Sequence, residues 1–310
     1  MNSTSEYAKK ICRYLKDSNY RKVINCHLGM YNNMSDEKYL KMLFHAQMGE
    51  KLDLVHPKTF NEKLQWLKLH DKNPLYTVMA DKANAKDYVA EKIGNEYIIP
   101  TLGIWSTFDD INFNDLPNQF VLKCTHDSGG LVICRDKHAL DILAAKKKLH
   151  ACLKKKYYYQ YREWPYKNVL PQIIAEEYMQ DGNNHELRDY KFYCFNGVPK
   201  FLYLSEGMEN HSTARIGFVN TDWTFANFGR TDYKPLESLP QKPSKFDEML
   251  EISRKLSSGT PFLRVDLYEI NGRVYFGELT FYPCAGMMPF DPPEADLLVG
   301  NMLDLTSWGL

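Results

Sequence analysis

Two Asn-Gly pairs constrain this fold more than any other feature. Asn196-Gly197 and Asn271-Gly272 each stand between runs rich in β-branched and aromatic residues. A two-residue turn with the right twist for antiparallel strands needs positive φ at both positions, which Asn and Gly tolerate. The spacing predicts one hairpin from Tyr190–Phe195 to Val198–Leu204. A second runs from Phe262–Ile270 to Val274–Phe281. Strands joined so tightly are not the parallel neighbours of a doubly wound sheet, which need long crossover connections. With helical patterns before and between the hairpins, the chain reads as α+β.

Residues 1–72 read as helical, and Phe60, Leu64, Trp66, Leu67 and Leu69 recur at helical spacing. Thr59 and Glu62 form a capping pair around Asn61, with Pro57 just before this helix and Pro74 just beyond it. A further helix is expected over 76–92, carrying Asp81-Lys82. Ile98-Ile99-Pro100 reads as a strand, followed by the segment Leu102-Gly103-Ile104-Trp105. Phe120-Val121-Leu122-Lys123 is a short buried strand, and Cys124–Gly130 is a small-residue loop returning through Leu131–Cys134. That pattern is a glycine-rich hairpin. The lysine runs of a helix over 139–156 read as a solvated face. Ile173-Ile174-Ala175 leads into Glu176-Glu177-Tyr178-Met179. Residues 205–243 read as loop-rich, and a helix is expected over 245–257.

The 310 residues suffice for two domains or one two-lobed unit. Lys and Arg number 39 against 39 Asp and Glu, and such a balance argues against binding nucleic acid chiefly through its phosphates. The 7 cysteines are odd in number, widely spaced and without a CxxC pair. This excludes a disulfide scaffold and the common zinc patterns, and places Cys124 and Cys194 in the core. The N-terminal stretch has no apolar h-region, and no run approaches the ~18 apolar residues of a membrane span. The expectation is a reduced, cytoplasmic protein with no membrane span and no nucleic-acid partner.

The second hairpin carries the chemistry. Its turn pairs Ile270 with Arg273, and the register carried outward brings Asp266 within one residue of facing Glu278. Like charges opposed on a sheet destabilise it. Either a cation between them offsets that cost, as Mg²⁺ shared with phosphate oxygens would, or one carboxylate pairs with Arg264 or Arg273. Lys123 ends an apolar strand just before Ser128-Gly129-Gly130, where backbone N–H groups and a lysine can approach phosphates. Glu176–Met179 suits the edge of an adenine, although taken alone it reads more readily as a strand end with surface acids. Asp189 and Lys191 share one strand face, as a surface ion pair or as a further phosphate contact.

The order of these elements resembles the ATP-grasp superfamily, and more narrowly its TupA-like branch, found with capsule and teichuronopeptide biosynthesis. The resemblance covers about residues 56–290. It rests on Phe60-Asn61-Glu62-Lys63-Leu64-Gln65-Trp66, Phe120–Lys123, Asp189–Gly197 and Phe276-Gly277-Glu278-Leu279-Thr280-Phe281. It implies two α+β lobes clasping ATP behind a helical N-terminal region. The divisions would be residues 1–74, a small lobe over 75–170 with the glycine-rich loop, and a large lobe over 171–310. It implies that Lys82 and Lys123 hold ATP phosphates under a lid of Ser128, Gly129 and Gly130, and that Glu176, Glu177, Tyr178 and Met179 line the adenine site. Asp189 joins the nucleotide contacts, Lys191 touches the terminal phosphates, and Arg264 steadies charge at the reacting carbonyl. Asp266, Glu278 and Thr280 would bind magnesium. Many ATP-grasp enzymes end this motif as Glu-x-Asn, whereas Glu278-Leu279-Thr280 stands here.

The implied reaction is ligation of a carboxylate to an amine through an acyl phosphate, with ATP and Mg as cofactors. The acceptor would be a polysaccharide or uronic-acid-containing molecule, or a glutamyl carboxylate, and the co-substrate an amino acid or amine. A kinase of a glycan or small molecule would use the same carboxylates. A glycosyltransferase commonly carries Asp-x-Asp, which is absent here. A nucleotide-binding protein without catalysis would not need Lys123, Arg264, Asp266 and Glu278 together.

Overall fold

The computed structural model describes residues 3–127, 129–182, 187–207 and 214–310. Its helices are α1 (Ser3–Lys16), α2 (Ser18–His27), α3 (Asp36–Met48), α4 (Phe60–His70), α5 (Leu75–Ala80), α6 (Asn84–Ile93), α7 (Ile142–Leu153), α8 (Tyr158–Tyr161), α9 (Phe246–Ser257) and α10 (Ala295–Gly300). Its strands are β1 (Thr101–Trp105), β2 (Phe120–Cys124), β3 (Leu131–Cys134), β4 (Ile173–Glu177), β5 (Asp189–Phe195), β6 (Val198–Glu206), β7 (Arg215–Asn220), β8 (Gly229–Arg230), β9 (Lys234–Pro235), β10 (Phe262–Ile270), β11 (Arg273–Thr280) and β12 (Phe290–Asp291).

A smaller sheet runs β1-β4-β2-β3 and a larger one β11-β10-β5-β6-β7-β9. Pairing is antiparallel apart from β7 with β9. Both Asn-Gly turns form as expected, with φ of 49° and 78° at Asn196 and Gly197 and 51° and 73° at Asn271 and Gly272.

β5 shows why its run is apolar on both faces. Phe192 and Cys194 face α9, where Phe192 meets Phe246 and the Cys194 thiol donates to the Ser253 carbonyl. Tyr193 and Phe195 point the other way, toward Phe60 of α4. A strand covered on both faces loses the apolar–polar alternation of a half-solvated one. In the smaller lobe, Phe120, Leu122, Ile173 and Ala175 pack with Ala145 and Leu149 of α7. Cys124 and Cys194 are both buried.

Thr59 caps α4 in a full capping box with Glu62. Asn61, one residue into that helix, clamps the C-terminal segment. Its Nδ2 donates to the Met288 carbonyl at 2.9 Å, and its Oδ1 accepts from the Met288 N–H at 2.7 Å.

Four expectations are corrected. The helix over 76–92 is two helices, broken at Asp81-Lys82-Ala83, because the Asp81 carboxylate accepts from the Ala83 N–H at 2.9 Å and from the Asn84 amide at 2.7 Å. Such local bonds compete with the helix ladder. The strand placed at Ile98-Ile99-Pro100 starts instead at Thr101, after a proline that has no N–H to give a ladder. Residues 205–243 contain β7, where Ile216, Phe218 and Val219 are buried. The lobe boundaries at 74/75 and 170/171 also move. α5 and α6 contribute Tyr76, Met79 and Val89 to the core of the larger sheet, whereas β4 lies within the smaller one.

Candidate active site

The two sheets present their strand ends to a cleft of about 230 Å³, lined by Lys82, Lys123, Glu176, Asp189, Asp266 and Glu278 among others. On its smaller-lobe side, Lys123 leaves β2 and meets Glu176 of β4 at 2.5 Å. Lys86 of α6 meets the same carboxylate at 2.6 Å from behind. Burial alone would raise the Glu176 carboxyl, but Lys123 and Lys86 outweigh it and hold it below the usual carboxylate range. Lys82 occupies the break between α5 and α6. Its backbone N–H donates to the Thr125 carbonyl at 3.1 Å, and its ammonium to the Asp127 carbonyl at 2.6 Å.

The loop after β2 needs its second glycine. A Cβ on Gly130 would stand 2.6 Å from the Cys124 sulfur, whereas one on Gly129 meets nothing nearer than 3.9 Å. The Gly130 N–H donates to the Asp127 carboxylate at 2.9 Å. Ser128 lies outside the described residues. Of the four residues assigned to the adenine site, Glu176 lines the cleft. Glu177 is exposed, and the Tyr178 hydroxyl accepts from Arg135 Nε at 3.2 Å. Met179 follows the end of β4.

The larger-lobe side is a network of opposite charges. The hairpin register pairs Ile270 with Arg273 but Asp266 directly with Glu278. Gly277 is the residue that makes up the difference, a bulge that moves Glu278 onto the row of Asp266. A Cβ at Gly277 would lie 2.9 Å from Tyr268 and 3.0 Å from the Asp266 carbonyl oxygen. Arg264 sits between the two carboxylates. Its Nε and Nη2 donate to both oxygens of Asp266 at 2.7 and 2.6 Å, and Nη2 also donates to Glu278 at 2.8 Å. Lys191 binds Asp266 at 2.9 Å and pairs with Asp189 as well. Thr280 Oγ1 donates to Glu278 at 3.3 Å.

These neighbours set the ionisation. Burial would raise the Glu278 carboxyl, yet Lys82, Arg264, Lys191 and Lys123 hold it down at about 2. Burial raises the Asp189 carboxyl, against the pull of Lys191. Lys191 is raised, because Asp266 and Asp189 more than offset the cost of its burial.

Magnesium takes hard oxygen donors and commonly shares them with phosphates. Asp266, Glu278 and Thr280 offer such donors, and the buried Asp189 Oδ1 has no hydrogen-bond partner. This donor set fits the ion. Among the described residues no group of three His, Cys, Asp or Glu could hold a metal alone, so phosphate and water oxygens would complete its shell.

Lys82, Lys123, Gly130, Glu176, Asp189, Asp266 and Glu278 line one cleft, whereas Glu177, Tyr178 and Met179 are not part of its lining. Lys191 stands behind its wall, and Arg264 and Thr280 line an adjoining cavity of about 560 Å³ that shares Lys82 and Glu278 with it. Sequence reading missed Lys86, Asp127 and Tyr268. Lys86 left one signal, a lysine beside Ala85 on the buried stripe of α6.

The sequence model of the TupA-like ATP-grasp family matches residues 62–304. Among solved structures, D-alanine–D-alanine ligase from Bacillus anthracis is 16% identical, with a TM-score of 0.43 over 92% of this chain and 92% of that one. D-cycloserine synthetase DcsG is 15% identical, with a TM-score of 0.39 over 67% of this chain and 64% of that one. The ATP-grasp ligase PsnB, solved with Mg and ADP, is 8% identical, with a TM-score of 0.41 over 82% and 64%. No curated protein matches the sequence.

Proposed function

The chain belongs to the TupA-like ATP-grasp family, and we propose that it is a ligase that attaches an amino acid or amine to a uronic-acid or glutamyl carboxylate during capsular or cell-wall polysaccharide synthesis. The observation that supports this reading is the cleft with Lys82 and Lys123 on one side and the Arg264–Asp266–Glu278 network on the other. Phosphoryl transfer asks of a protein mainly that it position the groups and neutralise their charge. Lys82 and Lys123 would hold the phosphates of ATP, under Gly129, Gly130 and Ser128. Glu176, Glu177, Tyr178 and Met179 would border the adenine.

Asp266, Glu278 and Thr280 would hold magnesium, which when bound offsets phosphate charge. Lys191, itself paired with Asp189, holds Asp266 in place. Arg264 would steady the oxygen of the acceptor carboxylate as it becomes an acyl phosphate and then a tetrahedral adduct. Closure of the glycine loop would keep water from that acyl phosphate. No helix among the described residues is long and apolar enough to cross a membrane, and the proposed place of work is the cytoplasm, where ATP is supplied.

The test is product analysis with Mg and ATP, offering uronic acids or uronate-containing glycans together with amines. ADP and free phosphate appearing only with both co-substrates would support the ligase. ADP with a phosphorylated acceptor and no free phosphate would replace it with a kinase. No nucleotide turnover with any acceptor would refute the proposal.

A further inference from the structure

The cavity that adjoins the nucleotide cleft has a carboxylate nothing yet explains. Glu163, between α8 and the short turn Trp164–Asn168, is 4% exposed and lines this cavity of about 560 Å³. The other carboxylates of the lining are paired, Glu278 with Arg264 and Asp232 with Arg230. Among the cations, Lys82 is bound to the Asp127 carbonyl. The Glu163 carbonyl accepts from the Tyr166 N–H at 3.2 Å, but its carboxylate is hydrogen-bonded to no described residue. Its nearest opposite charge is Lys68 of α4, which is itself bonded to the Ala285 carbonyl at 2.7 Å and to Gln65 at 3.0 Å.

Buried carboxylates are normally paired or bound to a metal. One that opens onto a cavity with no hydrogen bond to its carboxylate, and with its one nearby cation already bonded elsewhere, is a place for a second cation. The walls say which kind. Tyr157, Tyr161, Tyr166 and Tyr282 line the same space, with the Tyr157 and Tyr166 rings 4.8 Å apart edge to face. Aromatic faces attract an organic ammonium, whereas a divalent ion asks for several oxygen ligands. The cavity shares Lys82 and Glu278 with the nucleotide cleft, so a group bound here faces the place where the acyl phosphate would form.

We propose that Glu163 and the tyrosine-lined cavity bind the amine co-substrate as its ammonium, and that Glu163 takes the proton that frees its nitrogen to attack. This rests on the ligase reading above. The ammonium gives one proton to the Glu163 carboxylate. The nitrogen lone pair then forms the C–N bond at the acyl carbon, and the C–O bond to phosphate breaks. The leaving phosphate takes the second proton from nitrogen, and Glu163 returns its own to solvent. Burial raises the Glu163 carboxyl toward neutrality and Lys68 opposes it, a direction that suits a base. Tyr161, Tyr166 and Tyr282 also lie near enough to feel its charge.

The experiment compares two nucleophiles with Mg, ATP and a uronate panel. Hydroxylamine is largely unprotonated at neutral pH and needs no base. Methylamine and the common amino acids arrive as ammonium. Glu163→Gln should keep hydroxamate formation within a few-fold and lose amide formation by about 100-fold or more. Because glutamine leaves Lys68 without its counter-charge, Glu163→Gln with Lys68→Met is run beside it, with the same expectation. Equal loss with both nucleophiles in both variants would make Glu163 structural and overturn the proposal. So would an unchanged amide rate, or a wild type that makes hydroxamate but accepts no amine. A wild type that makes no hydroxamate would instead refute the ligase reading, and the proposal with it.

Discussion

Replacing Glu176 with Gln tests the electrostatic frame beneath the nucleotide cleft. The carboxylate is 7% exposed and takes Lys86 at 2.6 Å and Lys123 at 2.5 Å. Removing one partner of a buried ion pair costs about 3–5 kcal/mol, because the other charge is left uncompensated. Lys86 keeps the Ile99 carbonyl and the Thr101 hydroxyl, and Lys123 reaches partial solvent, so the lower end applies, about 3 kcal/mol. At about 2–4 °C per kcal/mol, the melting temperature should fall roughly 6–12 °C. Urea unfolding and a thermal scan would read this, with exposed Glu177→Gln as a control expected within about 0.5 kcal/mol of wild type. The sign with pH is also set. The folded carboxyl is held below its ordinary value, so its contribution is complete above about pH 4.3, the unfolded value, and fades as pH falls through the folded one. The gap between variant and wild type should therefore be full at neutrality and close in acid. A variant as stable as wild type at neutral pH would refute the argument.

Gly277→Val should cost about 1–3 kcal/mol, since its side chain must enter the space of Tyr268 and the Asp266 carbonyl. Urea unfolding checks this, and turnover should fall further than the stability loss explains. Glu278→Gln should lower turnover about 100-fold or more, with only a modest fall in melting temperature, because its ion pair with Arg264 is partly open to solvent. Lys123→Ala should weaken ATP binding in calorimetry and lower the melting temperature, since Glu176 loses one of its two cations. Asn61→Ala should destabilise by about 2 kcal/mol, leaving the Met288 N–H and carbonyl without their partner.

What was legible in the sequence was what local chemistry decides. Each Asn-Gly pair names its turn through positive φ, and the turn then fixes which strands pair. The capping box at Thr59 is legible for the same reason. Local reading failed where a second contact decided the matter. Lys82 is not on a helix, because the side chain of Asp81 turns back on the backbone after it. β7 was hidden because Gly217 interrupts its apolar run, and that glycine answers to Leu236 and Phe225, whose side chains leave no room for a Cβ. Glu163 gave no signal, since its burial depends on elements far from it in the chain.

The opposed carboxylates show how a sequence alternative resolves into structure. Charge repulsion across β10 and β11 required a cation, and the sequence allowed a metal or an arginine. Arg264 supplies one, and the two acids it binds are not equivalent. Asp266 is 1% exposed and gives both oxygens to the guanidinium, so it is bound chiefly as the arginine's counter-ion. Glu278 lies at the junction of the two cavities, more open to solvent. Of the two carboxylates that would hold magnesium, Glu278 is therefore the more accessible, while both oxygens of Asp266 are engaged by Arg264. The bulge at Gly277 makes this arrangement possible. Without the extra residue, Glu278 would fall out of line with Asp266, and a single guanidinium would not span them both. The register offset read from the turn was thus the mark of a bulge that brings the two carboxylates onto one row.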